Sequence, residues 1–155
     1  MIYRLLGKLL YDQPDVRNRV GTRIWFENQP AFNSLAADQK GACIIIRNFS
    51  GSTETHLTNE CDMAMPMVQV DFYDASATKA HSGFELVRRL LSGYGPETVA
   101  VLNDEGEEEG VFVSSIVLRR PGMYTEEPRN GSDVWVHRYT GDFEVFHSQS
   151  VPTHA

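Results

Sequence analysis

Residues 68–91, VQVDFYDASATKAHSGFELVRRLL, switch hydrophobic period midway. That switch constrains the fold more than any other feature of the chain. Val68, Val70 and Phe72 alternate with Gln69, Asp71 and Tyr73. Period-two alternation marks a strand in a sheet with one wet face. Ala77, Ala80, Phe84, Val87 and Leu91 then recur at three- and four-residue spacing, on one face of a helix. Asp74 or Ser76 supplies a cap for the first turn, and Gly93 a stop. A strand that leads directly into a helix lying on its face is an α+β building block. No reactive residue sits at the junction, where an enzyme of this architecture often keeps one.

The rest of the chain supplies the other elements. Ile2, Leu5, Leu6, Leu9 and Leu10 lay an apolar stripe on an N-terminal helix. Pro14 opens a short turn or helix carrying Val16 and Val20, which Gly21 breaks. Strands are predicted over 23–26, 42–49, 99–102, 111–119 and 134–147, the last bent or bulged at Gly141. Residues 27–41 and 121–132 read as long loops, and 50–60 as polar turns. Strands outnumber helices, and two amphipathic helices need a sheet face to cover. The expectation is therefore a small, mostly antiparallel sheet with two helices packed on it. A chain of 155 residues is about one domain long. We read 1–147 as a single domain and 148–155 as a flexible polar tail.

Charge narrows the function. The net charge is −7, against wrapping a nucleic acid, which needs clustered Lys and Arg. It is compatible with lining a passage through which DNA slides. Much of the excess sits in Asp104, Glu105, Glu107, Glu108 and Glu109. Such a run repels itself and stays in solvent. It reads as a solvated tip between two strands, a wall facing DNA, or a contact for a basic partner. Calcium is disfavoured, because the carboxylates are contiguous rather than alternating. No apolar run approaches the roughly 18 residues of a membrane span. The opening stretch carries Arg4 and Lys8 and lacks the form of a signal peptide, so Cys43 and Cys61 are expected as reduced thiols.

Chemistry-bearing motifs are missing from the sequence. It contains no G-x-S-x-G elbow, phosphate-binding Walker loop, H-E-x-x-H or C-x-x-C. His56, Cys61 and Asp62 match no zinc spacing. Cys43 precedes three isoleucines and reads as a structural thiol. An enzyme reading would need His137 to converge with Asp71 or Glu144. Met63, Met65 and Met67 alternate around Pro66. Alternating methionines serve packing, or an adaptable interface where exposed.

The order of these parts resembles the tail-completion proteins of long-tailed bacteriophages, also called tail terminators or head-to-tail joining proteins. The resemblance covers residues 1–147. It rests on IYRLLGKLL, on VGTRI followed by a loop with Pro30, and on the strand at 44–49 running into SGSTETHL. It continues through VQVDFYDASATKA and its helix, then VSSIVLRRPGMYTEEPRNGSDVWVHR and a closing strand. The loop at 27–41, the acidic run at 104–109 and the polar tail depart from the family pattern.

The resemblance implies a virion structural protein with no catalytic residue, cofactor or metal. Family members form rings, typically hexamers, that cap the tail tube. Their implied partners are further copies of the chain, the tail tube protein and the head connector or stopper protein. DNA passes through the ring without specific binding, and no membrane is involved. The implied location is the head–tail junction, with the host cytoplasm during assembly. Other readings are a small hydrolase or nucleotide-processing enzyme, or a monomeric cellular binding module.

Overall fold

In a computed structural model, the structure describes residues 2–27, 41–50, 53–55, 60–126 and 136–148. The fold is α+β. Among the described residues, three helices cover one face of an eight-stranded, mostly antiparallel sheet. The helices are α1 (Ile2–Tyr11), α2 (Pro14–Val20) and α3 (Ala77–Leu91). The strands are β1 (Ile24–Phe26), β2 (Cys43–Ser50), β3 (Thr53–Thr55), β4 (Glu60–Ala64), β5 (Met67–Asp74), β6 (Glu97–Leu102), β7 (Glu108–Glu126) and β8 (Val136–Ser148).

The sheet runs β1-β2-β5-β8-β7-β6, with β4 beside the end of β8 and β3 outside β4. Only β1–β2 is parallel among these pairs. Period two decides the faces. Val68, Val70 and Phe72 of β5 join Ile44 and Ile46 of β2 and Phe143 and Val145 of β8 in the main core. The buried stripe of α1 (Ile2, Leu5, Leu6, Leu9, Leu10) and that of α3 (Ala80, Phe84, Val87, Leu91) close over them.

The capping of α3 follows its sequence. Ser76 is the N-cap, and its hydroxyl accepts from the Lys79 amide at 3.3 Å. Asp74 accepts from the Ser76 amide at 3.1 Å and so shapes the entry instead of capping the helix.

Two glycines let α3 approach the sheet. A Cβ on Gly83 would lie 2.3 Å from the Phe72 ring, and one on Gly141 would lie 2.5 Å from the Phe84 ring. Gly141 does not bulge its strand. It pairs in register with Val70 and Pro121, and the register shifts of this region fall in β7, between Val113 and Ser115 and between Leu118 and Arg120. Its missing side chain makes room for Phe84, whose ring centroid sits 4.8 Å from that of Tyr139 and 6.3 Å from that of Phe143.

Several sequence expectations need correction. The second element after α1 is a true helix, making three in place of two, because Pro14 fits a first turn and Val16 and Val20 bury on one side. Residues 50–60, read as turns, contribute β3 and the start of β4. Strand β7 continues through Pro121 to Glu126 where a loop was expected, because β8 pairs with it from Val113 to Glu126. The same strand begins at Glu108, so Glu108 and Glu109 belong to β7 and pair with Leu102 and Val101. The back face of β5 is not wet. Asp71 and Tyr73 are as buried as Val70 and Phe72. Most of the loop expected at 27–41 lies outside the described residues, as do 149–155, while Ser148 closes β8.

Candidate functional site

The back face of the sheet carries rows of polar residues. Register places Arg47, Gln69, Asp142 and Arg120 across β2, β5, β8 and β7. The next row holds Ile45, Asp71, Thr140 and Gly122. Asp71 is fully buried, and its carboxylate is paired with the Arg47 guanidinium. It also accepts from Gln69 Nε2 at 2.9 and 3.1 Å. Burial alone would lower the Arg47 pKa, but the Tyr73 hydroxyl and the Asp71 carboxylate outweigh it and raise the pKa above its ordinary value. Beside this network Cys43, Ile45 and Tyr73 form a small second core with Trp25 and Val136. Cys43 is thus a buried packing thiol.

Among the described residues, His137 does not converge with Asp71 or Glu144. His137 pairs with Asp74 and Thr125, three registers from Asp71. Glu144 lies seven residues along the same strand on the opposite face and is paired with Arg119 at 3.0 Å. Among the described residues no group of three or more His, Cys, Asp or Glu is placed to hold a metal. No helix among them is long and apolar enough to cross a membrane. His56 lies outside the described residues.

Among the described residues His147 is the buried histidine, between Ala64 and Val113 in the sheet. Its Nδ1 lies 2.8 Å from the Ser148 carbonyl oxygen, so that nitrogen carries the proton. Burial pushes its pKa below the ordinary 6.5, and the bond to Ser148 only partly offsets this. The unfolded chain therefore takes up this proton before the folded one. Stability should be flat above about pH 6.5 and fall as the pH drops from there towards the depressed folded value. Glu85, held low by Arg88, loses its contribution only below its ordinary 4.5, in a separate window. Urea midpoints at pH 7.5 and 5.5 should differ in the native protein. In a His147→Gln variant that difference should shrink.

The acidic run forms the tip of the β6–β7 hairpin. Asn103 organises it, since its Oδ1 accepts from the amides of Glu105 at 3.0 Å and Glu107 at 2.9 Å. Asp104, Glu105, Glu107 and Glu108 are exposed and Glu109 is half-buried. Asp104 is tied back to Arg4 of α1 at 2.9 Å. Behind the tip, Val99, Val101, Val111 and Val113 enter the core, while Leu102 (55% exposed) and Phe112 (42% exposed) face outward. Neither stands out in the sequence, because alternation around the valines looks like an ordinary half-buried strand. Met63, Met65 and Met67 flank the break between β4 and β5, each half-buried. They do not form an exposed row.

No protein-family model matches this sequence, and no curated protein matches it. The fold does have a counterpart among solved structures. A chain in the virion of a native gene transfer agent (GTA) particle superposes on it with a TM-score of 0.60 at 12% sequence identity. The match covers 93% of this chain and 92% of that one. At that identity the likeness is one of fold, and it extends over nearly the whole of both chains.

Proposed function

We propose that this chain is a structural component of a phage-like virion. Copies of it form a closed ring, hexameric in the simplest case, that terminates the tail tube and joins it to the head connector or stopper protein. The observation that carries this reading is the near-full-length fold likeness to a chain of a gene transfer agent virion. The order of sequence elements, which resembles tail-completion proteins, points the same way.

The physical features fit the role. A ring of identical subunits needs two different patches that meet head to tail. A net charge of −7 disfavours adhesion to DNA and suits a lumen through which DNA must slide. In this reading Met63, Met65 and Met67, together with Asp104, Glu105, Glu107, Glu108 and Glu109, belong to contact surfaces or the ring rim, and the chain performs no catalysis. Electron microscopy of assembled particles should show a single ring of this protein at the head-proximal end of the tail, at the head–tail junction. Finding the protein in tail fibres, or absent from the virion, would overturn the proposal.

A further inference from the structure

We infer that the open edge of β6 is a strand-addition site, which takes an extended segment of a different virion protein bearing lysine or arginine. This inference rests on the virion reading above for where the partner is found, and it specifies the surface that meets it.

Register and hydrogen bonds fix which way the backbone of β6 points. In an antiparallel ladder, opposite residues alternate between pairs bonded to each other and pairs whose backbone groups face away. Leu102 stands opposite Glu108, yet its carbonyl accepts from Arg4 Nη1 at 3.1 Å. Phe112 stands opposite Thr98, yet its amide donates to the Ser148 hydroxyl at 2.9 Å. Both pairs are therefore of the outward kind, and so is the pair of Ala100 with Gly110 midway between them. Thr98, Ala100 and Leu102 turn their amides away from β7, and Thr98 and Ala100 leave their carbonyls open as well. Strand β6 pairs only with β7 among the described residues, so no further strand there meets these groups. Natural sheets blunt such an edge with lysine, proline, a bulge or a cover. Strand β6 runs six residues in unbroken register, with no lysine, proline or bulge within it.

A row of open backbone groups selects an extended segment, since a strand offers donors and acceptors at the same spacing. Charge selects its side chains. The hairpin tip at the end of this edge carries Glu105, Glu107 and Glu108, exposed and in no ion pair among the described residues. Glu97 and Glu109 lie on the core-facing side with Val99 and Val101 and take no part. Leu102 and Phe112 are exposed on the other side of the hairpin, so apolar residues at alternate positions of an added strand gain cover there. The chain's own edge strands fit poorly. Strands β1 and β3 have three residues each, half the length of β6. A second β6, antiparallel and centred on Ala100, would set Glu97 opposite Asn103, next to Asp104 and Glu105, with acid beside acid at both ends. In parallel it would bring two acidic tips together. The occupant is therefore a segment of another protein, extended and basic.

Hydrogen exchange resolved to single amides tests the edge. In the free chain the amides of Thr98, Ala100 and Leu102 should exchange fast, while those of Val99 and Val101, which face β7, stay slow. In assembled particles all of them should be slow. Ala100→Pro removes an amide that β7 does not use, so the hairpin keeps its ladder. Its incorporation into particles should fall roughly tenfold, the effect of one lost backbone hydrogen bond and the bulk of the ring. Ala100→Thr keeps the amide and should incorporate normally. Glu105→Lys with Glu107→Lys and Glu108→Lys should also lower incorporation. A benzophenone attached to Thr98→Cys, in a Cys61→Ser background, should photo-cross-link to a lysine- or arginine-bearing segment of a different virion protein. Circular dichroism confirms that each variant is folded, and if Ala100→Pro is not, the exchange pattern of the native chain decides. Fast exchange at Thr98, Ala100 and Leu102 in particles that contain the protein overturns this inference and leaves the virion reading intact. So does a cross-link to a second copy of this chain, or normal incorporation of the folded proline or charge-reversed variant. Absence of the protein from particles overturns both.

Discussion

Phe84→Ala should cost the domain about 3–5 kcal/mol, enough to unfold it at moderate temperature. The ring of Phe84 is fully buried where α3 meets the sheet, against Tyr139, Phe143 and the backbone of Gly141. Its removal leaves a cavity that cannot collapse, because the strands below are fixed by ladders on both sides. Total stability for a single domain is about 5–15 kcal/mol, so the loss is a large fraction. At about 2–4 °C per kcal/mol for a chain of this size, the melting temperature should fall by roughly 6–20 °C. Gly83→Ala gives a sharper test, because two effects there oppose each other. On an exposed helix, Gly→Ala gains about 1 kcal/mol of helix propensity. At Gly83 the added carbon would sit 2.3 Å from the Phe72 ring, and overpacking of this kind costs about 1–3 kcal/mol. Calorimetry should show Gly83→Ala melting below the native protein. A rise would mean that Phe72 yields easily and that the close approach of α3 to β5 is not what holds the helix down.

The period change at 68–91 made the central unit legible, and the structure keeps it nearly residue for residue in β5 and α3. That unit could be read because its pattern is local. Apolar and polar residues alternate within the strand itself, and Ser76 caps the helix within the same stretch. What could not be read was set by distant partners. Residues 121–126 look like a loop, with Pro121 and Gly122, yet they are strand because β8 reaches across to pair with them. Asp71 and Tyr73 look like solvent-facing positions, yet they are buried because Arg47, Ile45 and Cys43 meet them from β2 while Gln69 covers Asp71 from within β5. The candidate contact surface was half legible. The acidic run was plain from composition. Leu102 and Phe112 were not, because their exposure follows from β6 lying at the edge of the sheet, and strand order is a property of the whole fold. The half-buried state of Met63, Met65 and Met67 was not legible either, because it is set by the break at Pro66 between β4 and β5.

The Arg47–Asp71 pair should respond asymmetrically to mutation, and the direction follows from burial. Asp71 is fully buried, while the Arg47 side chain keeps 30% of its surface in solvent. Arg47→Ala strands a buried carboxylate whose remaining partner in this pair of residues is the Gln69 amide. Removing one member of a buried pair costs about 3–5 kcal/mol, because the other charge is left uncompensated. Asp71→Ala strands only the guanidinium, which can turn its exposed part to water on a long flexible stem, so its cost should be smaller. Thr140, opposite Asp71 on β8, has a buried hydroxyl with no hydrogen-bond partner among the described residues, and as a free donor it can recover only part of the loss in Arg47→Ala, since it carries no charge. Replacing both residues with apolar ones, Arg47→Met with Asp71→Leu, removes the stranded charge altogether and should recover much of the loss. Urea denaturation of the four proteins ranks them directly, and Arg47→Ala combined with Asp71→Ala completes a double-mutant cycle. The expected order of stability places the native protein and the double variant above Asp71→Ala, with Arg47→Ala lowest. If Asp71→Ala proves the more damaging single change, the carboxylate matters chiefly as a hydrogen-bond acceptor for Gln69 and its neighbours. The charge pairing would then be incidental to how the back face of the sheet is closed.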